Sequence, residues 1–433
     1  MKIHGWGYYS VVDAQVLKPA KVNDINKLIQ ANKKIIARGL GRSYGDSANS
    51  NVVVDTTNLN SIVKFDSLKG VILCESGVSI KEINELTIPQ GWFVPVTPGS
   101  SYVTLGGAIA SDIHGKNHHL DGAFSEHILS ANLMLGNGEI LTISNSINSD
   151  LFQATCGGMG LTGIIVSASI KLKSISSNLI KKTTIKNNSL EDLFNQFEIN
   201  FSSPYSVAWI DCSNKKKKSI SSLLFLGEHV KKGELISSAK KPRYIPIKFC
   251  SMFLNKHFIK IFNNAYYFKN LKKIQTTQVF LENYFYPLDS LLNWNFLYGK
   301  KGFIQYQFVI PKTNGIKILK KILDTINEYD QTPFLAVLKI LGPQNKNYLS
   351  FPMEGYTLAL DFKVSHGLLK LISVLDKVVA HNGGRIYLTK DAIMSKEIFR
   401  ECYSKWEEFE QIRSKYKAIG KFISHQSLRL GLK

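Results

Sequence analysis

The sequence predicts an α+β protein of two domains. Three observations predict it. Short β-branched runs fall between amphipathic helical stretches without the strict strand–helix alternation of one doubly wound sheet. Three glycine-rich stretches, Arg38–Gly45, Thr97–Gly107 and Cys156–Gly163, all lie in the first part of the chain. A Ser-, Lys- and Asn-rich stretch, 176–200, reads as a junction before a second set of strands and helices. A length of 433 residues suits two or three domains at ~150 residues each.

In the first region a helix is expected over Val22–Asn32, followed by an apolar run, Lys34–Ala37. Strands are expected at Val52–Asp55, Ile62–Asp66 and Gly70–Glu75. Ser79–Gln90 reads as a helix because Ile80, Ile83 and Leu86 share one face. The second glycine stretch leads into Ala108–His114, and strands follow at Glu126–Leu135, Glu139–Ser144 and Thr162–Lys173. In the second region the expected strands are Ser206–Asp211, Ser221–Leu226, Phe303–Ile310, Phe334–Leu341 and Tyr356–Phe362. Helices are expected at Lys312–Glu328, Leu368–Asn382 and Ser395–Lys415.

A composition of 44% hydrophobic and 20% charged residues excludes a chain that is mainly disordered. Five scattered cysteines, Cys74, Cys156, Cys212, Cys250 and Cys402, form no CxxC pair. That argues against a disulfide scaffold or structural zinc and fits a reducing, cytoplasmic setting. The start, MKIHGWGYYSVVDAQ, lacks the apolar run of a signal peptide. The uncharged window 151–170 holds four glycines and five Gln, Ser or Thr residues, so no membrane span is expected there. The net charge of +21 is uneven: Lys215–Lys273 holds 15 Lys and Arg against Glu228 and Glu234.

Gly39, Gly41 and Gly45 lie in ARGLGRSYGDS, and Gly158, Gly160 and Gly163 in CGGMGLTGII. A Rossmann fingerprint needs a helix after its glycines, whereas NVVVD and IIVSASIKL read as strands. Glycine still lets consecutive N–H groups approach an anion closely. Plain turn glycine is the alternative for any one cluster. Three clusters, with Pro98, Gly99, Gly106 and Gly107 in the middle one, point to a large phosphate-bearing cofactor.

These segments, ARGLGRSYGDS, TPGSSYVTLGGAIASDIHGKNHH and CGGMGLTGIIVSASIKL, resemble the FAD-binding half of the vanillyl-alcohol oxidase superfamily. SDIHGKNHH, ENYFYPLDSLLNWNFLYG, GFIQYQFVIP, VLKILGPQNKNYLSFP, GYTLALDF and GGRIYLTKDA extend the likeness over nearly the whole chain. Within the superfamily they resemble the branch that oxidises polyprenyl-phosphoryl ribose. The resemblance implies a PCMH-type FAD-binding domain over 1–178, an antiparallel-sheet substrate domain over 179–384, and a segment, 385–433, completing the first. It implies oxidation of a sugar C2′ hydroxyl to a ketone, with a separate NAD(P)H-dependent reductase and quinone or oxygen as electron acceptor.

By the same resemblance FAD contacts Arg38, Gly39, Leu40, Gly41, Arg42, Ser43 and Tyr44. From the second stretch it meets Pro98, Gly99, Thr104, Gly106, Gly107, Ala110, Ile113, His114, Gly115 and Asn117. From the third it meets Cys156, Gly157, Gly160, Gly163, Ile164 and Ile165. Tyr44 stands where covalently linked relatives carry histidine, and no Cys lies between Cys74 and Cys156, so non-covalent FAD is expected. Lys390 and His114 are the implied catalytic residues; a surface lysine and a structural histidine are the alternatives. Tyr44, Tyr286, Gln305, Gln307, Lys339, Ala359 and Lys390 match positions of the family's substrate pocket. Gln305 and Gln307 alternate on one strand face, and Lys339 interrupts an apolar run, where a lysine is costly unless paired. Ala359 stands where the mycobacterial enzymes carry the cysteine attacked by covalent inhibitors, which predicts insensitivity to thiol-directed compounds. His118, His119 and His127 raise a metal alternative, but the spacing is no recognised zinc set and none is expected.

Residues 244–268 place Lys248, Ser251, Asn255 and Asn263 against Phe249, Phe253, Phe258 and Phe262. Such a helix suits a membrane surface, here the inner face of the plasma membrane, and access to a polyprenyl lipid. Core aromatics and a solvated lysine loop are the alternatives. A soluble alditol or aldonolactone oxidase is the rival function. Nucleic-acid binding is the third, without a supporting motif, and none is expected.

Overall fold

The computed structural model describes residues 1–213, 220–236, 243–244 and 255–433. Cys250 and the Lys215–Lys218 run lie outside the described residues, as do Lys248, Phe249, Ser251 and Phe253 of the basic segment.

In the first region, strands Gln15–Leu17, Ile36–Arg38 and Val52–Asp55 pair in parallel, with Val52–Asp55 central. Beside them lies a five-stranded antiparallel sheet. Its order is Ile140–Ile143, Ile128–Met134, Ile164–Lys171, Val71–Glu75 and Ile62–Asp66. The Ile80–Thr87 helix opens with a capping box, in which Ser79 and Glu82 satisfy each other's backbone N–H. Its Ile80 and Ile83 are buried with Ile72, Val94 and Leu133.

The second region is one eight-stranded sheet, antiparallel throughout. From one edge it runs Ile274–Phe280, Leu179–Asn187, Ser222–His229, Tyr205–Ile210, Leu335–Leu341, Gly355–Lys363, Phe303–Pro311 and Arg385–Ile386. Helices Gly315–Glu328 and Leu368–His381 bury Leu319, Ile322, Leu371 and Leu375 against Phe308, Leu338, Leu358 and Leu360. Strand side chains alternate between faces, so the residues between these four, including Gln307, Lys339 and Ala359, point to the opposite face.

Three readings need correction, and one strand was not expected. The stretch 176–200 is no linker: Leu179–Asn187 is a strand paired on both sides, and Leu190–Ile199 is a helix capped by Ser189. Its lysines misled the reading because they lie over rings, Lys182 over Phe225 and Lys186 over Tyr267 at 4.3 Å each. Edge strand Ile274–Phe280 shows no alternation because nearly all its side chains are exposed. Ser395–Lys415 is two helices, Lys396–Cys402 and Trp406–Lys415. Asn263, read as part of a polar face, is buried and donates to Asp211 Oδ1 at 2.8 Å.

Candidate active site

The site lies on the face of the large sheet opposite those two helices. Register sets Gln307 opposite Ala359, Gln305 opposite Asp361, and Lys339 opposite Thr357. Gln305 Nε2 donates to Asp361 Oδ1 at 2.6 Å, and Gln307 Nε2 to Thr357 Oγ1 at 3.2 Å. Lys390 arrives from the C-terminal segment, its ammonium 3.7 Å from the centre of the Tyr44 ring. The two residues are held together because the Tyr44 N–H donates to Thr389 O.

Burial pushes the Lys390 ammonium down to about 7; Asp361 opposes the shift and Lys339 adds to it. Lys339 falls to about 8 through burial. Burial raises Asp361 to about 6, against the Gln305 bond and the Lys390 charge. Tyr44 is held well above the usual phenol range by burial and by Asp361, so it stays a neutral phenol. The face thus offers a lysine that exchanges its proton near neutrality, beside neutral amides and a phenol.

His114 faces this sheet from the second glycine stretch. Its Nε2 lies 3.0 Å from Gln307 Nε2, and its ring packs by Phe351 and Tyr387. Burial and the nearby Lys339 hold it well below the usual imidazole range, so it is neutral. An amide NH2 can only donate, which assigns the proton to Nδ1. That Nδ1 is buried without a hydrogen-bond partner among the described residues. His118, His119 and His127 each turn to a separate backbone group of Gly342, Ser203 and Asp121.

Three glycine segments converge on the Leu105–Ala110 helix. Thr104 caps it by accepting from the Gly107 N–H at 3.2 Å. Gly39 packs so tightly on Thr104 that a Cβ would sit 2.2 Å from its Oγ1. Gly157 and Met159 N–H donate to Ile109 and Ala110 carbonyls. Ile113 is buried there, and Ile164 and Ile165 begin the adjoining strand. Cys156 is buried, with its thiol pushed up by burial. Arg38 braces its own loop through His4 O and Asn49 Oδ1. Asn117 braces the next one through Pro95 O and Asp121.

Cofactor fit can be tested on this cradle. Among the described residues the N–H groups of Leu40, Gly41, Arg42 and Ser43 have no partner, and Gly41 has φ +64°. Arg42 stacks on Trp6 at 3.9 Å, with its Nε buried and unbonded among those same residues. A Cβ on Gly99 would meet nothing within 4 Å. Consecutive unbonded amides beside a guanidinium suit a diphosphate.

Residues 14–144 match the FAD binding domain family. The protein is therefore an FAD-dependent oxidoreductase of the vanillyl-alcohol oxidase type. The whole chain is 34% identical to decaprenylphosphoryl-beta-D-ribose oxidase of Mycolicibacterium smegmatis and covers 97% of that enzyme. The chain belongs to the decaprenylphosphoryl-beta-D-ribose oxidase family. It is also 22% identical to L-gulonolactone oxidase of Scyliorhinus torazame, over 96% of this chain and 95% of that one. D-arabinono-1,4-lactone oxidase of Kluyveromyces lactis matches 38% of the chain at 24% identity, over 33% of its own length.

Tyr286 is buried, and its hydroxyl bonds Thr97 at 2.7 Å and Asn84 at 3.0 Å. Lys116, Asp112 and Asp361 are site residues that the sequence did not disclose. Lys116 donates to Phe285 O at 3.0 Å and is lowered to about 7 by burial, then by Lys339 and Lys182. The adjacent His114 is the one signal that pointed to it.

Ala359 lies in the middle of the cluster, half-buried and opposite Gln307. The wild-type enzyme is expected to keep its activity under thiol-directed reagents. Ala359→Cys should gain a rapidly labelled thiol by mass spectrometry and lose activity on labelling. A variant whose new thiol stays unlabelled would remove this position from the accessible face.

Proposed function

We propose that the chain oxidises the C2′ hydroxyl of a polyprenyl-phosphoryl-β-D-ribose to the 2′-ketone. The observation that carries this is Lys390, a lysine near neutrality facing hydroxyl-binding amides, with two further lysines nearby. FAD, when bound, supplies the two-electron acceptor for the hydride leaving C2′. Lys390, as the free amine, takes the hydroxyl proton as the carbonyl forms. Gln305 and Gln307 orient sugar hydroxyls, and His114 donates from Nδ1. Lys339 has burial as the one cause of its shift, so a substrate phosphate beside it offsets the cost of an unpaired buried cation.

Binding of FAD in this reading is non-covalent: Tyr44 replaces a linking histidine, and the Cys156 thiol is buried and protonated. Acid precipitation should leave the flavin in the supernatant; flavin in the pellet would refute it. Quinone or oxygen would serve as the final electron acceptor. A separate NAD(P)H-dependent keto-reductase completes an epimerisation that feeds a cell-surface glycan.

The test is anaerobic flavin bleaching by polyprenyl-phosphoryl ribose. Rapid bleaching by this substrate, and slow bleaching by L-gulono-1,4-lactone or alditols, supports the reading. The reverse order favours the second reading, an aldonolactone oxidase, which the full-length similarity to L-gulonolactone oxidase supports. Lys339→Met should raise the substrate Kd by roughly tenfold or more, the scale of one charge-assisted contact. Reduction at saturating substrate should change little; an unchanged Kd would take Lys339 off the phosphate.

A further inference from the structure

We propose that the outer face of the Lys256–Phe268 helix docks the enzyme on an anionic lipid bilayer. The helix has two apolar faces. Ile259, Asn263 and Tyr267, four residues apart, are buried against the sheet domain. Tyr266 meets Trp209 at 5.1 Å and Phe262 meets Phe334 at 6.1 Å along its flanks. On the opposite side, Ile261, Ala265 and Phe268 recur at i, i+4 and i+7, and exposed Leu271 follows three residues after the helix ends. Ile261 is 68% exposed, Phe268 62% and Leu271 90%. Single exposed apolar residues are ordinary, but a continuous stripe of them marks a contact surface.

Charge selects the occupant. Asn255–Lys273 contains Lys256, Lys260, Lys269, Lys272 and Lys273 and no acidic residue. The ion pair in this stretch is Lys256 with Asp330, at 3.7 Å on the surface. An apolar stripe edged by lysines matches the acyl and headgroup layers of an anionic membrane. A neutral protein groove would leave the lysines unanswered. Among the described residues no helix is long and apolar enough to cross a membrane, so the contact is interfacial.

The position fits the task, which rests on the lipid-linked substrate proposed above. Trp209, under this helix, pairs with Val337, two residues from Lys339. The exposed edge strand Ile274–Phe280 runs directly into Leu281–Phe285, whose last carbonyl holds Lys116. A bilayer seated here lies beside the strands that carry the sugar site.

The experiment is co-sedimentation of the FAD-loaded enzyme with phosphatidylcholine vesicles, with and without phosphatidylglycerol. Binding is expected with phosphatidylglycerol and should fall as salt is added. The triple variant Ile261→Asn, Phe268→Asn, Leu271→Asn should cut it at least tenfold. So should Lys260→Glu, Lys269→Glu, Lys272→Glu, since each lysine near an anionic surface contributes roughly fivefold. Both variants should keep bound FAD and full flavin reduction by a short-chain, water-soluble substrate. Equal sedimentation of wild type and variants overturns the proposal. So does a dimer on gel filtration that the apolar triple variant dissociates, which makes the stripe a contact between copies. Flavin reduction by the short-chain substrate is read separately, so its failure counts against the proposed reaction and not against the surface.

Discussion

Lys390→Ala is expected to keep FAD bound and to slow flavin reduction by roughly 10²–10⁴-fold, the usual contribution of a positioned base. The lysine has little structural work: its ammonium lies on the Tyr44 ring and faces Asp361, and the loop is held by backbone bonds at Thr389 instead. Substrate binding should weaken much less than the rate. The pH profile separates chemistry from structure. Burial lowers the ammonium to about 7, so below pH 7 it is protonated and cannot accept the hydroxyl proton. Reduction should therefore rise with pH through neutrality and level off above it. The limb belongs to Lys390 together with Asp361, which rises to about 6. His114 is held well below its ordinary range and adds no limb near 7. Stopped-flow reduction across pH 5.5–9 checks both points, on the scale of ordinary lysine and histidine titration. An Ala variant that keeps the rate, or keeps the acid limb, removes Lys390 from proton transfer.

How far the sequence disclosed this site depends on the range of the contacts involved. Gln305 and Gln307 were legible because strand alternation is local. Lys339 was legible because a lysine inside AVLKILG is anomalous on its own. The glycine-rich stretches stood out from composition alone. Asp361 was not, because its role comes from lying opposite Gln305, and register between distant strands leaves no local mark. Tyr286 was reached by resemblance alone: its hydroxyl bonds Thr97 and Asn84, contacts between distant segments that leave no local mark. Leu179–Asn187 was lost to its lysines, whose stems cover aromatic rings. In the fold, long helices and β-branched strands were legible within a few residues. Elements whose side chains are mostly polar or mostly exposed were not.

Asp112→Ala is expected to destabilise the protein by about 4 kcal/mol and to weaken FAD binding. Asp112 is fully buried, and its carboxylate accepts four hydrogen bonds. They come from the Ser125 N–H at 3.0 Å, Asn345 Nδ2 at 2.7 Å, Asn347 Nδ2 at 2.8 Å and Ser350 Oγ at 2.6 Å. Three of these bonds tie the loop that carries His114 to the loop after strand Leu335–Leu341, more than 200 residues away. Removing the carboxylate strands buried donors, each costing roughly 1–3 kcal/mol. Relaxation or an entering water recovers part of that sum. Asp112 also has φ +38°, a conformation Ala tolerates less well than Asp or Asn. Asp112→Asn keeps that backbone and one acceptor, so it should recover part of the loss. Because all four bonds meet at one group, Asn345→Ala and Asn347→Ala should cost little more once Asp112 is gone. Thermal unfolding and FAD titration of these variants measure the effect. Wild-type melting and FAD affinity in Asp112→Ala would show that the clamp neither stabilises the fold nor positions the flavin loop.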